Sequence, residues 1–168
     1  ICYAENVFSI LGTSDGVAGL AEKLVKYGMG DVLLYVGENL SYENEKIFVK
    51  PASELTEYKG DPLSVICAVN ENAGTRLETH GIRDEEFIRG KAPMTKEEVR
   101  TVSLSKLRLT ADSVCYDVGA GTGSLSIEMA LRAHQGQVWA IEKKEDAVEL
   151  IHRNKVKFAA DNLEIVEG

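Results

Sequence analysis

Asp117-Val118-Gly119-Ala120-Gly121-Thr122-Gly123 is the stretch on which the fold of this chain turns. It follows an apolar, β-branched run, Val114–Val118, and precedes a helix-like segment, Ser124–Ala133, so it reads as a strand-to-helix turn. Glycines at 119, 121 and 123 remove the Cβ atoms that would hold a ligand away from the main chain. Open parallel sheets bind ligands at such turns, outside the carboxyl ends of their strands. The next strand-like run, Val138–Ile141, is closed by Glu142, an acid placed to accept hydrogen bonds from both hydroxyls of a ribose. The plainer alternative is a tight turn and an exposed strand-end acid with no ligand between them.

Outward from the turn, the second segment of the chain continues as α/β. Thr95 is expected to cap a helix, with Glu98 as its reciprocal capping-box partner three residues on. Val99, Val102 (with Leu104), Leu107 and Leu109 follow a roughly helical period. Ala147, Ile151, Asn154 and Phe158 trace one face of a further helix, and Leu163–Val166 is a third strand. Strands alternating with helices imply a parallel sheet with helices on its faces. Upstream, Val7–Leu11 reads as a strand, and Val17, Leu20, Ala21 and Leu24 as a helix face, with Gly28 and Gly30 suited to its stop. Val32–Val36 has the pattern of a strand buried on both faces, and Ile47–Val49 and Val65–Val69 are further strand candidates. Asn70–Arg83 lacks a sustained period, which places a domain boundary there and divides the chain into residues 1–75 and 76–168.

The 168 residues are 44% hydrophobic and 27% charged, close to the globular average, which excludes a disordered tail, a collagen-like repeat and a membrane-embedded protein. With a net charge of −8 and no basic arm, nucleic acid and anionic membrane are not expected partners. Cys2, Cys67 and Cys115 form no CxxC pair, and the latter two sit in apolar β-like runs as expected buried thiols. That usage, with no signal peptide, implies a reducing cytoplasm. His80, His134 and His152 are scattered without ligand spacing, so no metal site is expected. The chain begins at Ile1 and ends at Gly168 straight after a strand-like run, so both ends look cut.

A dinucleotide fingerprint requires G-x-G-x-x-G, and here Ser124 stands at the sixth position. The G-x-G-x-G spacing preceded by Asp117 resembles the class I S-adenosylmethionine-dependent methyltransferases. The resemblance implies that Gly119, Ala120, Gly121, Thr122 and Gly123 pack on the methionyl part of the donor and that Glu142 binds its ribose. Asp117 then faces the cationic amino end, or alternatively only stabilises the turn. This donor carries no pyrophosphate, so the helix N-terminus need not cradle one.

Further blocks narrow the resemblance. Gly81–Ile88 (GIRDEEFI), Pro93–Arg100 (PMTKEEVR), the DVGAGTG turn, Ala140-Ile141-Glu142 and Asn162–Gly168 (NLEIVEG) together resemble the cobalamin-pathway methyltransferases acting at C15 of precorrin-6Y. Val32–Val36 followed by Gly37–Glu45 (GENLSYENE) is similar to the C-terminal half of the C5-methylating tetrapyrrole methylases, which occur fused to the former in this order. The implied fold is α/β: the C-terminal half of a tetrapyrrole-methylase domain, then the N-terminal half of a Rossmann-like class I methyltransferase. The implied activity is methylation of a precorrin, a tetrapyrrole, at C5 and C15 with loss of the C12 acetate carboxyl group and S-adenosylmethionine as donor.

The resemblance also gives Thr95 a contact with the donor, beside its reading as a helix cap. It places Val36 and Ala68 near the upstream donor site, although both read equally as strand core. Arg83, Arg89, Lys91, Lys96 and Arg100 could meet substrate carboxylates. With Asp84, Glu85, Glu86, Glu97 and Glu98 interleaved, a solvated charged face is the plainer reading. No residue is singled out as catalytic. Because both sites lack parts of their family pattern, the chain alone is expected to be inactive. The competing readings are another class I methyltransferase, for a small molecule or RNA, with the acidic charge opposing RNA. The other is a non-catalytic module binding a nucleoside or a partner, whose open sheet edges favour a homo-oligomer.

Overall fold

The computed structural model describes residues 1–74 and 80–168, which fall into two compact units, Ile1–Arg76 and Leu77–Gly168. The boundary expected between residues 75 and 76 lies outside the described residues.

In the first unit, β1 (Asn6–Leu11), β2 (Leu33–Glu38), β3 (Lys46–Pro51) and β4 (Ser64–Val69) form one antiparallel sheet in the order β1-β4-β2-β3. Helix α1 (Gly16–Lys26) turns Val17, Ala21 and Leu24 inward and ends before Gly28, which takes the positive φ of 72° that a glycine tolerates. These side chains, with Ala52 and Leu55, pack on Leu34, Val36, Ile66 and Ala68 to make the core. The expectation that Val32–Val36 is buried on both faces is corrected: Val32, Leu34 and Val36 are buried, but Tyr35 is 44% exposed. Period-2 alternation puts Tyr35 on the face that α1 does not cover. The register aligns it there with Phe8, Cys67 and Val49 in one row across the sheet. Cys67 is therefore only half-buried, whereas Cys115 is buried as expected.

The second unit opens with a non-repetitive strap, residues 81–96, interrupted by one short turn of 3-10 helix at Asp84–Glu86. Then come α2 (Glu97–Leu107), β5 (Val114–Val118), α3 (Ser124–Arg132), β6 (Gln137–Glu142), α4 (Glu145–Lys157) and β7 (Leu163–Glu167). The strands form a parallel sheet in the order β5-β6-β7. Cys115, Val138, Ala140 and Leu163 from the strands meet Ile127, Met129, Ala130 and Ile151 from α3 and α4. The strap adds Ile82 and Phe87 to the same core.

Helix α2 departs from its reading twice. Of the apolar positions at helical period, Val99, Val102 and Leu107 are more than half exposed, whereas Leu104 is buried beside Arg100 and Leu109 packs against the core. The capping box is absent: Lys96, not Thr95, precedes the helix, and no side chain caps it. Both differences have one cause. Arg100 is 0% exposed and takes the carbonyl oxygen of Thr95 on its own guanidinium, which fixes where the helix starts and which face turns in.

Candidate functional site

The glycine turn lies between β5 and α3, and its main chain is tied down on the sheet side. The amides of Gly119 and Ala120 donate to the Ile141 carbonyl at 2.8 and 3.1 Å, so the turn bends back over the end of β6. Gly119, Gly121 and Gly123 have φ of 80°, 58° and 75°, in the left-handed region where a side chain is strained. Around Gly119 an added Cβ would meet nothing within 4 Å, which leaves open space on that side of the turn. At Gly121 a Cβ would come to 3.1 Å from the Pro93 carbonyl, so the strap closes the other side.

Glu142, the last residue of β6, is 8% exposed. Its Oε2 accepts from the Gly121 amide at 2.8 Å, and its Oε1 from the amides of Lys143 and Lys144 at 2.9 and 3.0 Å. Hydrogen bonds from the Lys144 and Gly121 amides, working against burial, hold this carboxyl below its ordinary range. An ionised carboxylate offers about four acceptor positions, so three amides leave one for an incoming hydroxyl. Asp117 behaves oppositely. It is half-buried, its Oδ2 accepts from the Ser126 hydroxyl at 2.5 Å, and burial pushes its carboxyl up, with the charge of Glu142 adding to the rise. The carboxyls of two acids flanking one turn are thus shifted in opposite directions, Glu142 down and Asp117 up.

Thr122 is 1% exposed, and its buried hydroxyl Oγ1 has no hydrogen-bond partner among the described residues. Gly123 caps α3, and its carbonyl accepts from Ile127 at 2.8 Å. The structure therefore brings together Asp117, Gly119, Ala120, Gly121, Thr122, Gly123 and Glu142. Thr95 is exposed on the strap, two residues after Pro93, whose carbonyl lies against Gly121. Val36 and Ala68 are each 1% exposed in the core of the first unit, where they act as strand packing.

Of the basic cluster, Arg83, Arg89, Lys91 and Lys96 are exposed, but Arg100 is not part of a solvated face. Its Nε donates to Glu128 Oε1 and its Nη1 to Asp84 Oδ1, both at 2.8 Å, and Nη2 donates to the Ile82 carbonyl. The guanidinium carbon stands 4.8 Å from the Phe87 ring centroid. Glu128, 3% exposed, spends its other oxygen on the amides of Gly81 and Ile82. The guanidinium beside Asp84 holds that carboxyl below the usual carboxylate range. Sequence reasoning missed Glu128, Ser126 and the polar role of Asn154. The one available signal was Asn154 itself, a lone amide on an otherwise apolar helix face.

A parallel sheet, a three-glycine turn at its switch from strand to helix and an acid ending the next strand are the geometry against which known proteins can be compared. The precorrin methyltransferase domain family matches residues 86–168. The matched residues lie in the second unit. A probable cobalt-precorrin-6B C(15)-methyltransferase (decarboxylating) of Sulfurisphaera tokodaii is 53% identical over 90 residues, which are 52% of this chain and 47% of that protein. The cobalt-precorrin-6B C(15)-methyltransferase (decarboxylating) of Salmonella typhimurium is 50% identical over 88 residues, 52% of this chain and 46% of that one. Among solved structures, a precorrin-6Y C5,15-methyltransferase from Geobacter metallireducens superposes with a TM-score of 0.51 at 44% identity, covering 53% of this chain and 48% of that chain. The C-terminal domain of the corresponding Rhodobacter capsulatus protein gives 0.50 at 26% identity, over 55% and 49% of the two chains. The chain spans about half the length of the curated relatives it matches. The fold of the second unit is that of a Rossmann-like class I methyltransferase.

The donor used by such domains, S-adenosylmethionine, fits the residues present. The space beside Gly119 is open, Glu142 keeps one acceptor position for a hydroxyl, and Thr122 Oγ1 is a buried hydroxyl without a partner among the described residues.

Proposed function

We propose that the second unit is the donor-binding part of an enzyme that methylates a precorrin, or its cobalt complex, at C15 with decarboxylation of the C12 acetate arm. The observation that carries this is the Glu142 carboxylate, fixed at 2.8 Å on the Gly121 amide at the mouth of a three-glycine turn. Residues 1–75 are read as the C-terminal part of a tetrapyrrole methylase acting at C5 of the same macrocycle, and residues 76–168 as the methyltransferase part.

In this reading Glu142 orients the nucleoside by accepting from ribose, and Gly119–Gly123 let the methionyl part lie against main chain. Asp117 receives the amino end, with Ser126 holding its carboxyl in place. Thr95 adds a contact from the strap. When bound, the donor supplies an electrophilic methyl group on a sulfonium, which an electron-rich ring carbon attacks. The residues contribute alignment and exclusion of water, an effect that can reach about 7–11 kcal/mol for well-oriented reactants. Charge left by loss of CO₂ spreads into the conjugated macrocycle.

Isothermal titration of the chain with S-adenosylmethionine tests the reading. Saturable binding that is lost in Glu142→Ala is the expected result. A wild-type chain that takes up none of the donor refutes the reading and favours a partner-binding module.

A further inference from the structure

Asn154 lies in α4 and is 0% exposed, on a helix face otherwise made of Ala147, Leu150 and Ile151. A fully buried carboxamide is retained only when its polar atoms are matched. Here all its bonds go to main chain that belongs to two different segments. Oδ1 accepts from the Ile88 amide at 2.8 Å and Nδ2 donates to the Ile88 carbonyl at 3.1 Å, so the side chain serves that strap residue as a neighbouring strand would. Nδ2 also donates to the Thr122 carbonyl at 3.2 Å, inside the glycine turn.

We infer that Asn154 is a positioning residue for the donor site, clamping the strap to the glycine turn; the inference rests on the donor-site reading above. The turn is then held at two points. Glu142 takes the amide of Gly121, and Asn154 takes the carbonyl of the next residue, so the Ala120–Gly121 and Thr122–Gly123 peptides are both held, with a single peptide between them. The same carboxamide keeps the strap in register with the turn, five residues before Pro93 brings its carbonyl against Gly121. Further ties, Leu150 against Gly90 and Lys157 Nζ to the Glu86 carbonyl, come from the same helix. Neither of them reaches the turn. Asn154 is the residue that joins both segments, and freeing it makes donor binding bear the ordering of turn and strap together.

The test compares the wild-type chain with Asn154→Asp, Asn154→Leu and Leu163→Ala. Aspartate keeps the acceptor for the Ile88 amide but loses both donors, and leucine loses all three bonds. Leu163 is buried in β7 and absent from these ties, so its truncation loosens the core alone. S-adenosylmethionine is titrated calorimetrically at a temperature well below every thermal midpoint. Donor affinity should fall tenfold or more in both Asn154 variants and less than threefold in Leu163→Ala, even where Leu163→Ala has the lower midpoint. Asn154 variants within threefold of wild type overturn the inference, as does an equal loss in Leu163→Ala. If Asn154→Leu does not fold, Asn154→Asp decides, with amide exchange at Ile88 expected to quicken at least tenfold and an unchanged rate counting against the clamp. A wild-type chain that binds no donor instead refutes the donor-site reading, and this inference falls with it.

Discussion

Replacing Arg100 by methionine isolates the ionic centre of the second unit. The side chain keeps similar length and apolar volume, so the change removes charge and hydrogen bonds rather than packing. Lost are the pairs with Glu128 and Asp84 and the bonds to the carbonyls of Thr95 and Ile82. Glu128, whose side chain is 1% exposed, is left as an uncompensated buried charge, although the amides of Gly81 and Ile82 still reach it. Breaking one partner of a buried pair costs about 3–5 kcal/mol. Asp84, 20% exposed, can turn to Lys96 and water and adds little. The net expectation is about 4 kcal/mol, a large share of the roughly 5–15 kcal/mol that holds a domain together. Urea unfolding followed by the fluorescence of Trp139, the single tryptophan of the chain, reads the second unit directly because that residue lies in β6. Adding Glu128→Gln to Arg100→Met should recover about 1–3 kcal/mol relative to the summed single changes, since the orphaned charge is gone. A loss below about 1 kcal/mol in Arg100→Met, or strict additivity in the pair, refutes the reasoning that the guanidinium compensates Glu128.

Other outcomes can be checked on the same protein. Gly119→Ala forces a side chain to φ 80° in open space, so stability should fall by only about 1–2 kcal/mol while S-adenosylmethionine binding is lost, as calorimetry and thermal melts will read. Gly121→Ala adds contact with the Pro93 carbonyl to a similar strain, and should destabilise more than Gly119→Ala in the same melts. The carboxyl of Glu142 is held below its unfolded value, so its stabilisation is present above the unfolded pKa and is lost as pH falls through the folded one. Urea midpoints measured down the acid limb should therefore fall less steeply in Glu142→Gln than in wild type. Val102→Ser on the outer face of α2 should change stability by no more than about 0.5 kcal/mol, and a loss typical of a core site would show that this face is covered.

The candidate site was legible in the sequence because its signals are local. Three glycines with positive φ and an acid ending the next strand are dictated by backbone geometry, and Val114–Val118 and Val138–Ile141 carry enough β-branched residues to declare the strands. What was illegible depends on which face is covered. In α2 the apolar residues Val99, Val102 and Leu107 point outward because a buried arginine takes the inner face, and periodicity counts an arginine as surface. Thr95 looked like a cap because a threonine followed three residues later by Glu98 is the usual signature, yet its carbonyl is taken by Arg100 and the helix begins later. Tyr35 broke no pattern in its own run. Its exposure follows from α1 covering only one face of an antiparallel sheet, which no window of five residues records. Asn154 and Glu128 bond to main chain far away in sequence, so nothing adjacent to them announces the partner.

The two margins of the four-stranded sheet are chemically unlike. β3 presents Lys46 and Lys50 and ends at Pro51, so an approaching strand meets ammonium groups to desolvate and, at its end, a residue without an amide hydrogen. β1 reads Asn-Val-Phe-Ser-Ile-Leu, with no charge along its length and with Phe8 and Ile10 exposed. Strand addition to this sheet is therefore directional. Concentrated solutions should associate through the β1 margin, and Ser9→Lys, which sets a charge midway along that strand, should weaken that association.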